Sequence, residues 1–496
     1  MSHLFKKNYK KIYKFFIISI FFIIIALSYL GLQKYSGSKI NYLSFTIISN
    51  FLILFATRKR TIFFETFFSL FLWLGFWFKF TCTIVFTDGV FREGVGMFDY
   101  SKESFDETLL ISQIGILAFI ISGFFREYFI FNYPRKLDIQ NFKYNFFSFG
   151  RKNIWIFFTI FFIAIACSNF YFKLYQKGLI PIYEINFLIS GIFKWLLLFG
   201  LSAFSANLIF YEFNFYKKFF FISLLIITIE TFFTSFSMLS RGMIFNVLAL
   251  LLGIYKFSNK ANKPNDINYY IKSIIFAFIL FYISISSVNY IRANYFYVGK
   301  SSIFTVNKFS EVKEDKKDED KKIQKKYATT KAINSEILYL IINRWVGIDG
   351  VMSIISKKDL LNISFLLSSF NERASKDMQT FYELTFELKE NTVSNELYEN
   401  VKGNTLPGVL AFSYYSGSYY ILFLIIFFIS IFASCLEYLS FKFSSNNLIL
   451  ASLIGQVIAF RFAHFGYLPH QSYLLFGSII LTIILSYILS LCLKKI

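Results

Sequence analysis

IRANYFYVGK (residues 291–300), EVKEDKKDEDKKIQKK (311–326), NRWVGIDG (343–350) and VKGNTLPG (401–408) mark out one hydrophilic stretch, 291–405, the only long one in this chain. Everything outward from it is apolar at the length that crosses a bilayer. Towards the N-terminus the apolar runs cover 15–32, 40–56, 62–86, 108–125, 153–172, 187–211, 219–238, 242–255 and 272–290. Towards the C-terminus they cover 408–438, 447–467 and 472–492. A bilayer core needs about 20 apolar residues per helix, and these runs are continuous rather than alternating, so helices are expected and not barrel strands. The chain therefore reads as an all-α polytopic membrane protein with twelve spans: nine in 1–290, a large hydrophilic loop or cap in 291–405, and three in 406–496.

The overall composition agrees. A mean hydropathy of +0.54, with 56% hydrophobic and 16% charged residues, excludes an ordinary soluble domain. The net charge of +21 does not point to nucleic acid, because the excess Lys and Arg sits in short loops between spans. Lys6 to Lys14 precede a first apolar run too long for a signal peptide, so that run is expected to be a retained span. Placing the N-terminus inside puts Thr57–Arg60, Arg135 to Lys152, Lys217–Lys218, 256–263, Lys442 and Lys494–Lys495 on the cytoplasmic face. The acidic 87–107 connection and the 291–405 loop then fall on the opposite face, and both termini are cytoplasmic. Two runs are irregular: 187–211 is interrupted by Lys194, and 408–438 is longer than one span needs, with an interfacial or re-entrant piece expected near Tyr414 to Tyr420.

Within the large loop, 308–328 alternates acids and lysines without apolar periodicity and reads as a solvated spacer. Residues 335–356 carry apolar residues at helical spacing, and short helices are expected near 359–369 and 376–389. Together they form a candidate lid that carries Arg344.

Four arginines fall on the outer face in this topology: Arg241 in Ser240-Arg241-Gly242, Arg292, Arg344, and Arg461 in FRFAHFGYLPHQSY (460–473). Positive charge there runs against the usual loop bias, and a guanidinium fork suits bidentate binding of a pyrophosphate. Arg241 and Arg292 could equally snorkel to lipid phosphates. Arg344 could pair with Asp349. Arg461 is the one whose helix carries no other charge. His464, three residues later on the same helical face, could accept a proton from a hydroxyl, or simply hydrogen-bond a neighbouring helix. Glu230, in LLIITIETFFTSF (224–236), is a buried carboxylate that could act as a base, pair with Lys194 or face a wet cavity. Glu93, Asp99 and Asp106 are further candidate bases. Cys82, Cys167, Cys435 and Cys492 stand singly, so neither disulfides nor a metal site is expected. No nucleotide, zinc-hydrolase or serine-hydrolase motif occurs in a credible context, and no cofactor is expected.

Three stretches carry a resemblance. NRWVGIDGVMSI (343–354), GNTLPGVLAFSYYSGS (403–418) and FRFAHFGYLPHQSY (460–473) resemble parts of Wzy-type oligosaccharide repeat-unit polymerases, which build O-antigen or capsule. The SRG at 240–242 and the large external loop fit the same pattern. The resemblance implies a GT-C-like membrane glycosyltransferase in the bacterial cytoplasmic membrane. It would join repeat units carried on undecaprenyl pyrophosphate, as donor and acceptor, and release undecaprenyl pyrophosphate. Arg241, Arg292, Arg344 and Arg461 would bind pyrophosphate, with His464, or else Glu230, as base. A chain-length regulator and a flippase of the same pathway are the protein partners implied, alongside membrane lipids, with no nucleic acid. An O-antigen ligase is an alternative on the same donor, and a flippase or transporter of the lipid-linked sugar is an alternative of another class.

Overall fold

A computed structural model describes residues 18–19, 21–91, 94–137, 146–177, 186–215, 220–260, most of 275–288, 342, 344–372, 380–388 and 405–495. Among the described residues every regular element is a helix. In chain order the main ones are α1 (Phe21–Lys34), α2 (Lys39–Ala56), α3 (Phe63–Thr87), α4 (Lys102–Ile130), α5 (Phe146–Phe172), α6 (Leu188–Phe213), α7 (Phe220–Ser237) and α8 (Ile244–Lys260). They continue with α9 (Ile348–Ile355), α10 (Gly408–Ser413), α11 (Tyr419–Phe443), α12 (Leu448–Ala463) and α13 (Ser472–Lys495).

Seven helices among the described residues are long and apolar enough to cross a membrane: α2, α3, α4, α5, α6, α11 and the helix over Pro469–Leu491 that α13 forms. The chain is a multi-pass membrane protein. Its surface says so independently. On α11, Tyr420, Leu424, Phe428 and Phe432 are exposed at four-residue spacing, one continuous apolar stripe that water would not tolerate at this length. The opposite face of α11, through Leu422, Ile426, Ser430 and Ala433, is buried against the bundle. α12 and α3 form the centre, α12 lying between α3 and α8, with α4 packed on α11 and α2. α12 is buried along nearly its whole length.

Side-chain contacts sort the helix ends into two groups. At one end, Arg58 and Arg60 meet Glu127, Arg126 meets Glu65, Lys260 donates to the Pro134 carbonyl, and Arg151 pairs with Glu212. At the other end, Lys177 donates its backbone N–H to the Met238 carbonyl, Gly408 to that of Phe465, and Leu468 to the Glu372 carboxylate. Every basic loop expected on one face that is described here lies at the first end. The cap expected from the sequence lies at the second, the cap end.

The two irregular apolar runs turn out differently, 408–438 as expected and 187–211 not. The 408–438 run is not one span: α10 and a 3-10 turn over Tyr414–Ser416 end at Gly417, with φ +68, and the spanning helix starts afresh after Ser418. Gly417 also has no room for a side chain, since a Cβ there would stand 2.9 Å from the Leu361 carbonyl. In 187–211, by contrast, Lys194 interrupts nothing. The helix continues through a π-helical turn at Leu196–Gly200 and the lysine stays exposed, as a long cation does near a helix end. The 308–328 spacer and Arg292 lie outside the described residues.

The part of the cap that is described is not a loose cover. All eight residues of α9 are buried, and its aliphatic side chains join the core shared by the spanning helices. The segment enters through a π-helical turn in α3, Trp73–Phe78. There Gly75 and Gly347 bring two backbones together, and a Cβ on either would stand 2.3 Å from a carbonyl oxygen, that of Val346 or Gly75. A buried ion pair closes the junction: Lys79 Nζ lies 3.0 Å from Asp349 and 3.0 Å from the Trp345 carbonyl. The sequence offers Arg344 as the partner of Asp349; the partner is Lys79, one helical turn below Gly75.

Candidate functional site

Pro407 is the meeting point of the cap end. A Cβ on Gly350 would reach the Pro407 carbonyl at 2.0 Å, and one on Gly466 would reach its ring at 2.3 Å. Gly408, at φ +79, sits against Val346 and the Ala463 carbonyl and donates to Phe465. The described parts of the three stretches at 343–354, 403–418 and 460–473 are therefore packed on one another, although up to 120 residues of chain separate them.

This packing fixes the end of α12. The helix stops at Ala463, not at 467, so Arg461 lies two residues from its terminus and not four to six. His464 caps it, its N–H bonded to Phe460. The imidazole stacks on the Phe460 ring at 4.2 Å, and Nδ1 lies 3.0 Å from the Phe460 carbonyl oxygen. A carbonyl oxygen only accepts, so Nδ1 carries the hydrogen and Nε2 keeps its lone pair. Burial first, then the charges of Lys177, Arg344 and Arg461, push the imidazole down to about 4, so it is neutral at pH 7. His464 is thus an oriented, uncharged acceptor within the field of three cations.

Each cation is placed by a different element. Arg461 donates to the Tyr467 carbonyl at 3.2 Å and lies over the Phe465 ring. Arg344 is exposed, three residues before the buried 347–355 segment that anchors its backbone. Lys177 lies 5.7 Å over the Phe460 ring, on the face of an aromatic that also stacks with His464. Its loop is held by Asn169, whose side-chain amide bonds both backbone groups of Tyr175 and the Ser237 carbonyl. The Ser240-Arg241-Gly242 turn adjoins the same place, since Gly242 packs against Phe460. So Arg344 and Arg461 come together around His464, the Arg241 backbone lies beside them, and Arg292 lies outside the described residues.

In the sequence Lys177 reads as one more loop lysine; the Asn169 clamp, from the last turns of α5, and the bond of its own N–H to the Met238 carbonyl hold its loop at this end. Glu372 was missed too. Its buried carboxylate accepts from Phe381 N at 2.8 Å and Leu468 N at 2.6 Å, tying the cap to the turn after His464. No local pattern marks it.

Other candidates are placed elsewhere. Glu230 is fully buried in α7 and accepts from Ser202, Thr231 and Thr234 at 3.1–3.3 Å. It does not pair with Lys194, which lies over the Tyr175 ring instead. Seven residues of helix, about 10 Å at 1.5 Å per residue, separate it from Ser237 at the cap end. Asp106 is occupied by Tyr35, the Ser38 backbone and Asn41. Asp99 caps Ser101, whose backbone N–H holds the carboxyl below its ordinary range. Glu93 lies outside the described residues. Among the described residues no cluster of His, Cys, Asp or Glu could hold a metal ion.

The opposite end holds a second charged group, also unforeseen. Arg126 forks onto Glu65 at 2.7–3.0 Å, both fully buried, and Arg58 bridges Glu65 to Glu127. Glu437 accepts from the first two N–H groups of α3 and from the Tyr133 hydroxyl. There every acid meets a donor.

No protein-family model, characterised protein or solved structure matches the chain. Functional assignment therefore rests on the residues of the cap end.

Proposed function

We propose that this chain is a membrane glycosyltransferase of the Wzy type, joining oligosaccharide repeat units carried on undecaprenyl pyrophosphate at the outer face of the bacterial cytoplasmic membrane. In this reading the N-terminus is inside, the helices make twelve spans of a GT-C-like arrangement, and the cap end faces outward. The observation that carries it is the neutral, oriented His464 set among Arg344, Arg461 and Lys177.

The chemistry follows from those groups. The acceptor sugar hydroxyl attacks the anomeric carbon of the donor's reducing-end sugar, and its proton passes to His464 Nε2. The bond between that carbon and the phosphate oxygen breaks, and its electron pair leaves on undecaprenyl pyrophosphate. Arg461, Arg344 and Lys177 stabilise the charge that builds on the leaving group. Glu230 lies too deep for this role. A ligase would use the same donor chemistry. Gene deletion separates the two, since loss of a polymerase leaves single repeat units on the surface lipid and loss of a ligase leaves none. The paired charges buried at the opposite end form locks rather than a continuous route, which gives a transporter no positive support.

The test is direct. Purified protein in vesicles with lipid-linked repeat units should release undecaprenyl pyrophosphate and lengthen the glycan. If neither product forms while the protein remains folded, the reading is overturned.

A further inference from the structure

We infer that the short helix Ile363–Ser369 of the cap is an interfacial anchor that lies in the plane of the bilayer surface and seats its exposed apolar side in the outer-face acyl chains. Its two sides differ sharply. Leu366 and Ser369 are buried, and Phe365 packs on Phe381 at 5.2 Å and on Tyr415 at 5.1 Å. The other side exposes Ile363 at 57%, Leu367 at 61% and Phe370 at 43%, with Ser364 and Ser368 on its flank. At 100° per residue, 363, 367 and 370 fall within one narrow arc, which makes this a helix amphipathic towards the outside rather than towards the core.

Its height is set by contacts at both ends. Before the helix, Lys358 lies 3.5 Å from Glu107, in the first turns of α4, and Leu361 abuts Gly417, two residues before α11 begins. After it, Phe370 packs on Phe412 at 5.4 Å, and Glu372 bonds Leu468 in the turn between α12 and α13. The helix therefore runs along the rim, level with the starts of spanning helices. Gly417, which Leu361 abuts, leads directly into α11, whose exposed apolar stripe opens with Tyr420, 84% exposed, and passes down through Leu424 and Phe428. That continuity with a membrane-facing surface identifies the occupant as lipid hydrocarbon, with the two serines at the level of the head groups.

A nitroxide scan tests this without reference to activity. Labels are placed one at a time at Ile363→Cys, Ser364→Cys, Leu367→Cys, Ser368→Cys and Phe370→Cys. The full chain carries Cys167, Cys435 and Cys492 as Ser and is reconstituted in phosphatidylethanolamine–phosphatidylglycerol vesicles. All five positions are exposed, and melting of each labelled protein confirms that it is folded, including Phe370→Cys, which loses the contact with Phe412. The expected result is that 363, 367 and 370 are relaxed more by oxygen than by a water-soluble nickel chelate, with 364 and 368 reversed. Equal nickel access at all five positions would show a helix standing in water and overturn the inference. Exclusion of both reagents at 363, 367 and 370 would overturn it too, since protein and not lipid would then cover that side.

Discussion

Among the described residues, the Arg58–Glu65 end of the bundle and the His464 cluster at the cap end use charge in opposite ways. At the Arg58–Glu65 end, acids and bases neutralise one another: Glu65 takes a bidentate arginine, Glu127 takes two more, and Glu437 is filled by two backbone N–H groups and a tyrosine. In the His464 cluster, three cations act on a neutral histidine, and the buried carboxylate of Glu372, which ties the cap to the turn after it, is committed to backbone donors. Matched charge holds helices in register. Positive charge grouped around an oriented acceptor is an arrangement for an anion and a proton. The difference separates architecture from chemistry in a chain where both are made of arginine.

Substitutions should break the two ends differently. His464→Ala is expected to cut polymerisation by about 10²–10⁴-fold, the range for loss of a general base, with the melting temperature nearly unchanged. A loss of folded protein instead would make His464 a structural residue. Next, Arg126→Ala leaves a buried carboxylate short of its main partner and should cost about 3–5 kcal/mol of stability. Replacing the pair by Glu65→Leu with Arg126→Met should recover most of the yield, as read by thermal unfolding in detergent. Arg461→Ala should lower activity about tenfold or more, equivalent to about 1.4 kcal/mol of leaving-group stabilisation. Its stability should stay close to that of the native chain, and near-native polymer lengths would remove Arg461 from the site. Glu230→Gln, which keeps size and hydrogen bonding, should change activity by less than about threefold, well under the loss of a general base. A larger effect would reopen Glu230 as the base.

The pH profile is a further discriminator. His464 works as a base only when neutral, and its environment holds it neutral down to about 4. The kcat/KM profile should therefore stay level as pH falls from 8 to about 5 and drop as it passes through about 4. The same depressed value means that an unfolded chain takes up this proton first. Stability from this group is lost as pH falls from about 6.5, its ordinary value, towards 4, and is present in full above that range.

Helical spans, basic loops at one end and the grouping of Arg344 with Arg461 were all legible in the sequence. Apolar length and loop charge are local properties, and His464 stands three residues from Arg461. What was not legible is pairing at a distance. Lys79 sits inside an apolar run with no nearby acid, and its partner Asp349 belongs to the other side of a long hydrophilic segment. Glu65, Arg126 and Glu437 come from three separate helices and acquire meaning only when those helices pack. For Glu230 the sequence suggested Lys194, the nearest buried-looking cation, whereas three hydroxyls from α6 and α7 satisfy it. Lys177 needed the Asn169 clamp to reach the site.

The Lys79–Asp349 junction also imposes an order in time. Lys79 and the Trp345 carbonyl it bonds are 266 residues apart in the chain. At about 5–20 residues per second of synthesis, some 13–50 seconds pass between them. Through that interval α3 waits without the backbone that fills its notch at Gly75 and without Asp349 beside Lys79. The notch closes only when residues 345–349 emerge, so the first third of the bundle waits half-finished for the segment that carries Arg344.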